Sequence, residues 1–146
     1  MPIRVQQQPF DVGDELAAHA PAGAGAGAAV HFVGTMRDVN AGDGVARMVL
    51  EHYPGMTERE LERVAGEAMA RWQVVDALVI HRYGELLPGD PIVLVAVWSA
   101  HRDDAFDACR HIIASLKTKA PFWKKETLAD GSQRWVEPHI GEGMPG

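Results

Sequence analysis

The chain has 146 residues, 47% of them hydrophobic and 23% charged, which are the proportions of one globular domain spanning residues 1–146. The net charge of −6 argues against a nucleic-acid-binding protein, which would present a basic face. A single cysteine excludes an intramolecular disulfide and a cysteine-based zinc cluster. We see no signal peptide and no apolar run of membrane-spanning length, so we expect a cytoplasmic protein with no membrane partner.

Apolar periodicity predicts three helices and six strands, in the order α, β, β, α, β, β, α, β, β. The helices are expected over 9–20, 58–72 and roughly 103–117, and the strands over 29–35, 45–53, 74–83, 91–99, 121–128 and 133–138. Helices alternate with pairs of strands, and this order favours an α+β fold over a doubly wound sheet. We therefore predict a largely antiparallel sheet with flanking helices.

Local signals set the predicted ends of these elements. Asp11 is a candidate N-cap of the first helix, and Thr57 followed by Glu60 has the spacing of a capping box. Asp130-Gly131 predicts a hairpin between the last two strands.

The remaining segments are predicted to be loops. Residues 21–29 read as a flexible Gly/Ala connector without a function, and residues 138–146 as a loose tail. Residues 36–44 and 84–90 are predicted to be loops, the first of them mobile.

The segment from Lys117 to Glu126 contains four lysines within ten residues of an acidic chain. Pro121 should end the preceding helix, because its ring cannot continue the helical hydrogen-bond pattern. Lys117 therefore ends a helix, and Lys124 lies on the strand that follows. Two cations at such a corner predict an anion pocket, and Lys124 and Lys125 should point to opposite faces of the strand.

His101 and Arg102 come directly after the apolar strand and open the last helix. A helix N-terminus offers free N–H groups, and the arginine adds a planar fork suited to phosphate or carboxylate. The alternative is that His101 belongs to a capping turn and that Arg102 pairs with Asp103 or Asp104.

Arg37, Cys109 and the histidines are the other candidate functional groups. Arg37 in the polar loop is either a surface residue or an anion ligand. Cys109 falls on the apolar side of its helix and is expected to be a buried hydrophobic residue instead of a nucleophile. The seven histidines show no metal-ligand spacing, so we expect no metal and no cofactor.

Several motifs occur together in an order that resembles the large, catalytic subunit of molybdopterin synthase. The resemblance runs from about residue 9 to about residue 137. The motifs that carry it are Phe32–Arg37, Leu50–Met56, His81–Gly84, Gly89–Asp90, Ser99–Arg102 with Ala105–Phe106, Lys117–Glu126 and Arg134–Val136. The lysine segment together with the His-Arg pair is its most specific part.

This resemblance implies an α/β hammerhead-type fold and a homodimer. It also implies a small ubiquitin-like sulfur-carrier subunit docked at each end, which gives a heterotetramer. The carrier's C-terminal Gly-Gly thiocarboxylate would enter the pocket. Two sulfurs would pass to cyclic pyranopterin monophosphate and form the dithiolene of molybdopterin.

The resemblance also implies roles for individual residues. Lys117 and Lys124 are expected to be catalytic, and the substrate-binding residues are expected to be Arg37, His101, Arg102, Lys125 and Glu126. Because the family pocket is built across the dimer, His101 and Arg102 would serve the neighbouring protomer. Met36 stands where a valine is common, and the tail lacks the basic residues that many members carry.

Two other classes of function remain open at this point. One is a non-catalytic binding module for a ubiquitin-like partner, which the presence of Arg37 and Lys117 beside the His-Arg pair disfavours. The other is an enzyme that acts on a different phosphorylated ligand with the same fold. A neighbouring gene for a small protein ending in Gly-Gly would favour the sulfurtransferase.

Overall fold

The computed structural model describes residues 2–136. Its elements in chain order are β1 (Ile3–Gln6), α1 (Val12–His19), β2 (Ala28–Thr35), β3 (Val39–Asn40), β4 (Asp43–His52), α2 (Met56–Arg71), β5 (Val74–Arg82), β6 (Gly84–Leu86), β7 (Pro91–Ser99), α3 (Arg102–Lys119), β8 (Phe122–Leu128) and β9 (Gln133–Val136). The arrangement is an α+β fold, as predicted.

The first sheet has the strand order β1-β5-β7-β2 and carries helices on both faces. Strand β1 pairs with β5 in parallel, and the other pairs in this sheet are antiparallel. Helices α2 and α3 pack on one face, where Val79, Val95 and Ile112 belong to the same core cluster. On the other face, Val12 and Leu16 of α1 pack against the second cluster.

The second sheet has the order β3-β4-β8-β9, with β6 also paired to β4. Met48, Leu50 and Phe122 of this sheet join the core cluster that contains Ile112 of α3. Strand β8 follows α3 after only two residues, so the end of α3 lies where the two sheets meet. This junction positions the lysine-rich segment.

All predicted helices and strands are present, and strand β7 has the predicted bounds. Sequence reasoning did not predict β1, and it placed β6 within the loop 84–90. Residues 36–44 were predicted to be a loop, but they contain β3, a tight turn and the start of β4. Strands β1, β3 and β6 have only two to four residues, which is too few for a periodic signal, and β1 and β6 also depend on long-range pairing. The predicted connector 21–29 overlaps β2 by two residues.

The predicted capping box of Thr57 and Glu60 is wrong. Helix α2 begins after Gly55, which has φ +84° and donates its backbone N–H to the Glu58 carboxylate at 3.0 Å. The Thr57 side chain is buried and donates to the Tyr53 carbonyl at 2.8 Å. The left-handed glycine turns the chain into the helix two residues earlier than expected, a conformation that glycine adopts without strain.

Other local predictions are confirmed. The Asp11 carboxylate accepts a hydrogen bond from the Asp14 N–H at 2.8 Å and caps α1. Gly131 has φ +89° in the turn between β8 and β9. The tail 138–146 and the end of the last predicted strand lie outside the described residues. Within residues 2–136, every helix is too short or too polar to cross a membrane.

Candidate functional site

The end of α3 and the start of β8 form the corner that the sequence predicted. Helix α3 ends at Lys119, and β8 begins at Phe122, directly after Pro121. Lys117 lies in the last turn of the helix, and Lys124 is the third residue of the strand. The proline breaks the helix because it has no N–H to donate.

A cavity of about 200 Å³ lies at this corner. Its wall is largely apolar and includes Phe32, Met48, Leu50, Ile113, Leu116 and Phe122. The ionisable and amide side chains among its lining residues are Arg37, Asn40, His81, Lys117, Lys124 and Glu126. The cavity therefore brings together four of the seven predicted site residues: Arg37, Lys117, Lys124 and Glu126.

The ammonium group of Lys124 is partly withdrawn from water. Burial lowers the pKa of Lys124 below its ordinary value, and the nearby charge of Lys117 lowers it further. The Glu126 carboxylate acts in the opposite direction without cancelling the effect. Lys124 therefore gives up a proton more readily than a solvent-exposed lysine does.

Glu126 is a buried carboxylate in the cavity wall and is 3% exposed. Its Oε2 accepts a hydrogen bond from Asn40 Nδ2 at 3.0 Å, and its Oε1 accepts one from Arg134 Nε at 2.9 Å. Both oxygens therefore have a donor, as a buried carboxylate requires.

Lys125 points away from Lys124, as the strand alternation predicted. Its Nζ lies 5.6 Å from the centre of the Trp135 ring, the residue directly opposite it on β9. This is a cation–π contact on the face of β8 away from Lys124. The predicted substrate-binding role of Lys125 gains no support from this placement.

The aromatic residues of the lysine segment also divide between two environments. Both line the cavity, but Phe122 is buried and belongs to the core, whereas Trp123 is only partly buried. The indole N–H of Trp123 donates to the Glu51 carboxylate at 3.1 Å, and its ring packs on Tyr53 at 4.7 Å. Trp123 thus links the cavity wall to the exposed Tyr53, which lies outside the lining.

His81 is a cavity residue that sequence reasoning missed. Its ring stacks on Phe122 at 3.8 Å, and its Nδ1 lies 2.8 Å from the Arg82 carbonyl oxygen. Burial lowers the pKa of His81 to about 4, so the imidazole is neutral at pH 7. The signal that could have identified it is the motif His81–Gly84, which is one of the motifs that carry the family resemblance.

His101 and Arg102 lie at the opposite end of α3 from Lys117. Lys117 is fifteen positions after Arg102 in the helix, which corresponds to about 22 Å along its axis. Both side chains are exposed, and both lie outside the lining of the cavity described within residues 2–136. His101 is the N-cap residue of α3, and its side chain makes no capping hydrogen bond.

Cys109 is buried in α3, as predicted. It is 2% exposed, and burial raises the pKa of its thiol to about 11. A neutral, enclosed thiol is a poor nucleophile. Among residues 2–136, no three His, Cys, Asp or Glu side chains are grouped so that they could hold a metal ion.

Comparison with known proteins identifies the family of this chain. The profile of the family described as "MoaE protein" matches residues 5–119. The chain is 55% identical over 137 residues to the "Molybdopterin synthase catalytic subunit" of Pseudomonas aeruginosa, and the match covers 94% of this chain and 91% of that protein.

Solved structures show the same fold. The structure of a molybdopterin biosynthesis MoaE protein from Burkholderia ambifaria has a TM-score of 0.80 and 49% identity, covering 97% of this chain and 92% of that one. A chain from the complex of subunits 1 and 2 of molybdopterin-converting factor from Helicobacter pylori has a TM-score of 0.73. It is 19% identical over 94% of this chain and 92% of its own length, which shows a shared fold. The chain belongs to the MoaE family, whose relatives include molybdopterin synthase catalytic subunits.

Proposed function

We propose that this chain is the catalytic subunit of molybdopterin synthase, a sulfurtransferase of molybdenum cofactor biosynthesis. In this proposal it transfers two sulfurs from the C-terminal thiocarboxylate of a small ubiquitin-like carrier to cyclic pyranopterin monophosphate. The product is the dithiolene of molybdopterin. The observation that carries the proposal is the convergence of Lys117, Lys124 and Arg37 on one cavity in a member of the MoaE family.

The charge of the cavity suits this pair of reactants. The chain has a net charge of −6, yet three of its cations line a single cavity. The proposed reactants are a cyclic phosphate and a thiocarboxylate, and both are anions. Arginine and lysine side chains in a partly dry site bind such groups more strongly than they do in water.

The chemistry needs positioning and charge stabilisation more than a protein nucleophile. A thiocarboxylate is already nucleophilic, and the buried Cys109 takes no part. A carrier that gives up its sulfur and leaves as a carboxylate must gain an oxygen at the acyl carbon, so negative charge develops on its carbonyl oxygen. Lys117 would stabilise that charge at the reacting carbon, in the manner of an oxyanion hole.

Lys124 has a different proposed role. Its lowered pKa makes it the better candidate for proton transfer, because a catalytic group works best when its pKa is near the working pH. Lys124 would hold the substrate phosphate or assist the opening of its ring. Glu126 would orient this part of the wall.

The proposed assembly is a homodimer with one carrier at each end. The complex of subunits 1 and 2 in Helicobacter pylori, a chain of which shares this fold, supports a small-subunit partner. In the dimer, His101 and Arg102 of one protomer would complete the cavity of the other. Their exposure and their distance from Lys117 within one chain fit a role that needs a second protomer.

A single-turnover assay tests the function and the role of Lys117. The protein is mixed with thiocarboxylated carrier and cyclic pyranopterin monophosphate, and molybdopterin is followed through its fluorescent oxidised derivative. Wild type should form product, and Lys117→Ala should lose about 10²-fold or more in rate. Lys119→Ala is the matched control, because Lys119 lies in the same helical turn but is exposed and outside the cavity lining.

Two results would contradict these proposals. Absence of product from wild type, with a carrier that works on a known synthase, would favour an enzyme that uses another phosphorylated ligand. A wild-type rate for folded Lys117→Ala would remove Lys117 from the reaction.

The shared cavity has its own test by subunit mixing. Arg102→Ala and Lys117→Ala should each be inactive, but a mixed dimer of the two keeps one cavity with both residues intact. Random exchange should therefore restore about a quarter of the wild-type activity, because half of the dimers are mixed and each has one working cavity of two. No recovery after demonstrated exchange would place Arg102 outside the partner's cavity.

A further inference from the structure

Strands β8 and β9 pair in antiparallel orientation beside the cavity. Glu126 and Arg134 are directly opposite each other in the antiparallel register. Arg134 Nε donates to Glu126 Oε1 at 2.9 Å. The carboxylate is almost fully buried, so this cation is part of what makes a charge tolerable there.

Arg134 also reaches the hairpin formed by β3 and β4. Its Nη1 lies 2.9 Å from Asp43 Oδ2, and its Nη2 donates to the Asn40 carbonyl oxygen at 3.1 Å. Asn40 and Asp43 are the last pair before the hairpin turn. Three nitrogens of one guanidinium therefore join the tip of this hairpin to β8.

Asn40 closes this network. Its side-chain amide donates to Glu126 Oε2 at 3.0 Å, while its carbonyl accepts from Arg134. Glu126, Arg134, Asn40 and Asp43 are thus connected by four contacts. We call these four residues the hairpin clamp. The planar, multidentate guanidinium suits such a clamp, whereas a lysine ammonium could not span these acceptors with the same geometry.

The hairpin clamp acts on two parts of the cavity. The segment that leads into the hairpin carries Arg37, Val39 and Asn40, all of which line the cavity. On the other side, Glu126 lies two residues after Lys124 and lines the cavity with it. The charged and titratable groups that line the cavity with Lys124 are Glu126 on β8, Lys117 on α3, Arg37 after β2 and His81 on β5.

We propose that Arg134 is a positioning residue for sulfur transfer. It fixes the hairpin that carries Arg37 against the cavity, and it holds Glu126 so that the carboxylate does not pair with Lys124. This inference rests on the proposed function of the cavity. Arg134 itself touches neither lysine in the network described above and acts through Glu126 and Asn40.

The test compares Arg134→Gln and Arg134→Lys with wild type. Arg134→Gln leaves the Glu126 charge without its cation, so the carboxylate turns to Lys124 and the lysine should titrate at higher pH. The single-turnover rate should fall by about 10–100-fold, because misplaced reactants and ligands lower a rate by factors of this size. The pH profile of that rate should also move to higher pH.

Arg134→Lys separates charge from positioning. It keeps a cation near Glu126, so Lys124 should titrate close to its wild-type position, while the loosened hairpin still lowers the rate. Arg63→Gln is the matched control, because Arg63 also bridges two carboxylates, Glu60 and Glu67, but on the exposed face of α2. We expect it to leave the Lys124 titration and the rate unchanged.

The titration of Lys124 is followed by heteronuclear NMR of lysine-labelled protein, which needs no substrate. Unchanged titration and an unchanged rate in folded Arg134→Gln would overturn the inference while the proposed function stands. If Arg134→Gln does not fold, a wild-type rate for Arg134→Lys overturns the positioning role. If wild type makes no product, the proposed function fails. The NMR titration still tests the inference in that case, because an unchanged Lys124 pKa in Arg134→Gln would show that Arg134 does not keep Glu126 from pairing with Lys124.

Discussion

Lys117 and Lys124 face one cavity from two elements that the chain joins at Pro121. Burial lowers the pKa of Lys124, and the ammonium of Lys117 adds to this effect. The Glu126 carboxylate opposes it, but both of its oxygens are occupied by Asn40 and Arg134. The fold thus holds the Lys124 ammonium where burial makes its charge unfavourable. We expect this to lower the free energy of unfolding.

Lys124→Met should therefore stabilise the protein while it reduces activity. A lysine whose folded pKa is lowered is less stable as a cation in the fold than in the unfolded chain. This penalty is present at neutral pH and disappears as the pH rises through the folded value towards the ordinary 10.5. Removing the charge should raise the free energy of unfolding at pH 7, measured by urea denaturation.

Lys125→Met is the matched control for this prediction. The neighbouring lysine lies over Trp135 on the other face of the strand, so removing its charge relieves no burial. Its free energy of unfolding should change by less than about 0.5 kcal/mol. Equal stabilisation by both substitutions, or destabilisation by Lys124→Met, would contradict the assigned burial of Lys124.

His81 should make the protein sensitive to acid. Its pKa is about 4 in the fold, mainly because of burial, and 6.5 in the unfolded chain. Below pH 6.5 the histidine binds a proton in the unfolded chain but not in the fold, so the free energy of unfolding falls between about pH 6.5 and about pH 4. The difference between the two pKa values corresponds to a loss of at most about 3 kcal/mol in the free energy of unfolding.

His81→Asn removes the contribution of His81 to this pH dependence of stability. Urea denaturation at about pH 7 and about pH 4.5 should show a smaller loss of stability on acidification for the variant than for wild type. The exposed histidine of β2 supplies the control, because His31→Asn should leave the loss unchanged. The same loss in His81→Asn as in wild type would show that other groups cause the acid sensitivity.

The sequence was sufficient to predict the corner but not what surrounds it. Pro121 and the apolar run 91–99 are local signals, and they placed Lys117, Lys124 and strand β7 correctly. The neighbours of Lys124 depend on how distant strands pair. His81 reaches the cavity from β5, and Arg134 meets Glu126 through the register of β8 and β9. Periodicity gives the face of a strand, but it does not tell which strand lies beside it.

The error at α2 has a similar cause. Thr57 and Glu60 have the right spacing for a capping box, but Thr57 belongs to the core and bonds back to Tyr53. The deciding feature was the left-handed conformation of Gly55 after Pro54, which sets where the helix starts. A turn signal and a capping signal competed within four residues, and backbone conformation decided between them.

Cys109 should be dispensable for catalysis. Its thiol is buried and its pKa is raised to about 11, so little thiolate exists at neutral pH. Cys109→Ala should keep the single-turnover rate within about twofold and cost about 1 kcal/mol of stability through lost packing. An alkylating reagent should modify wild type slowly when folded and quickly in denaturant. Loss of turnover in a folded Cys109→Ala protein would be the contrary result.

Gly27 and Gly25 test where the Gly/Ala segment becomes part of the fold. A Cβ atom at Gly27 would lie 2.4 Å from the Ala100 carbonyl oxygen, whereas one at Gly25 would meet no atom within 4 Å. The Gly27 N–H also donates to the Ser99 carbonyl at 2.9 Å, which fixes the entry into β2. The backbone at Gly27 therefore has little freedom to move away from the clash.

Gly27→Ala should lower the free energy of unfolding by about 1–3 kcal/mol, because the new methyl group meets backbone and not a flexible side chain. Gly25→Ala should be neutral or stabilising by up to about 1 kcal/mol, since it reduces the freedom of the unfolded chain without a clash. Denaturant unfolding of the two variants gives the comparison directly. Equal losses of stability in the two variants would show that the segment is ordered from Gly25 onwards. No loss in either variant would show that a shift of the chain relieves the close approach at Ala100.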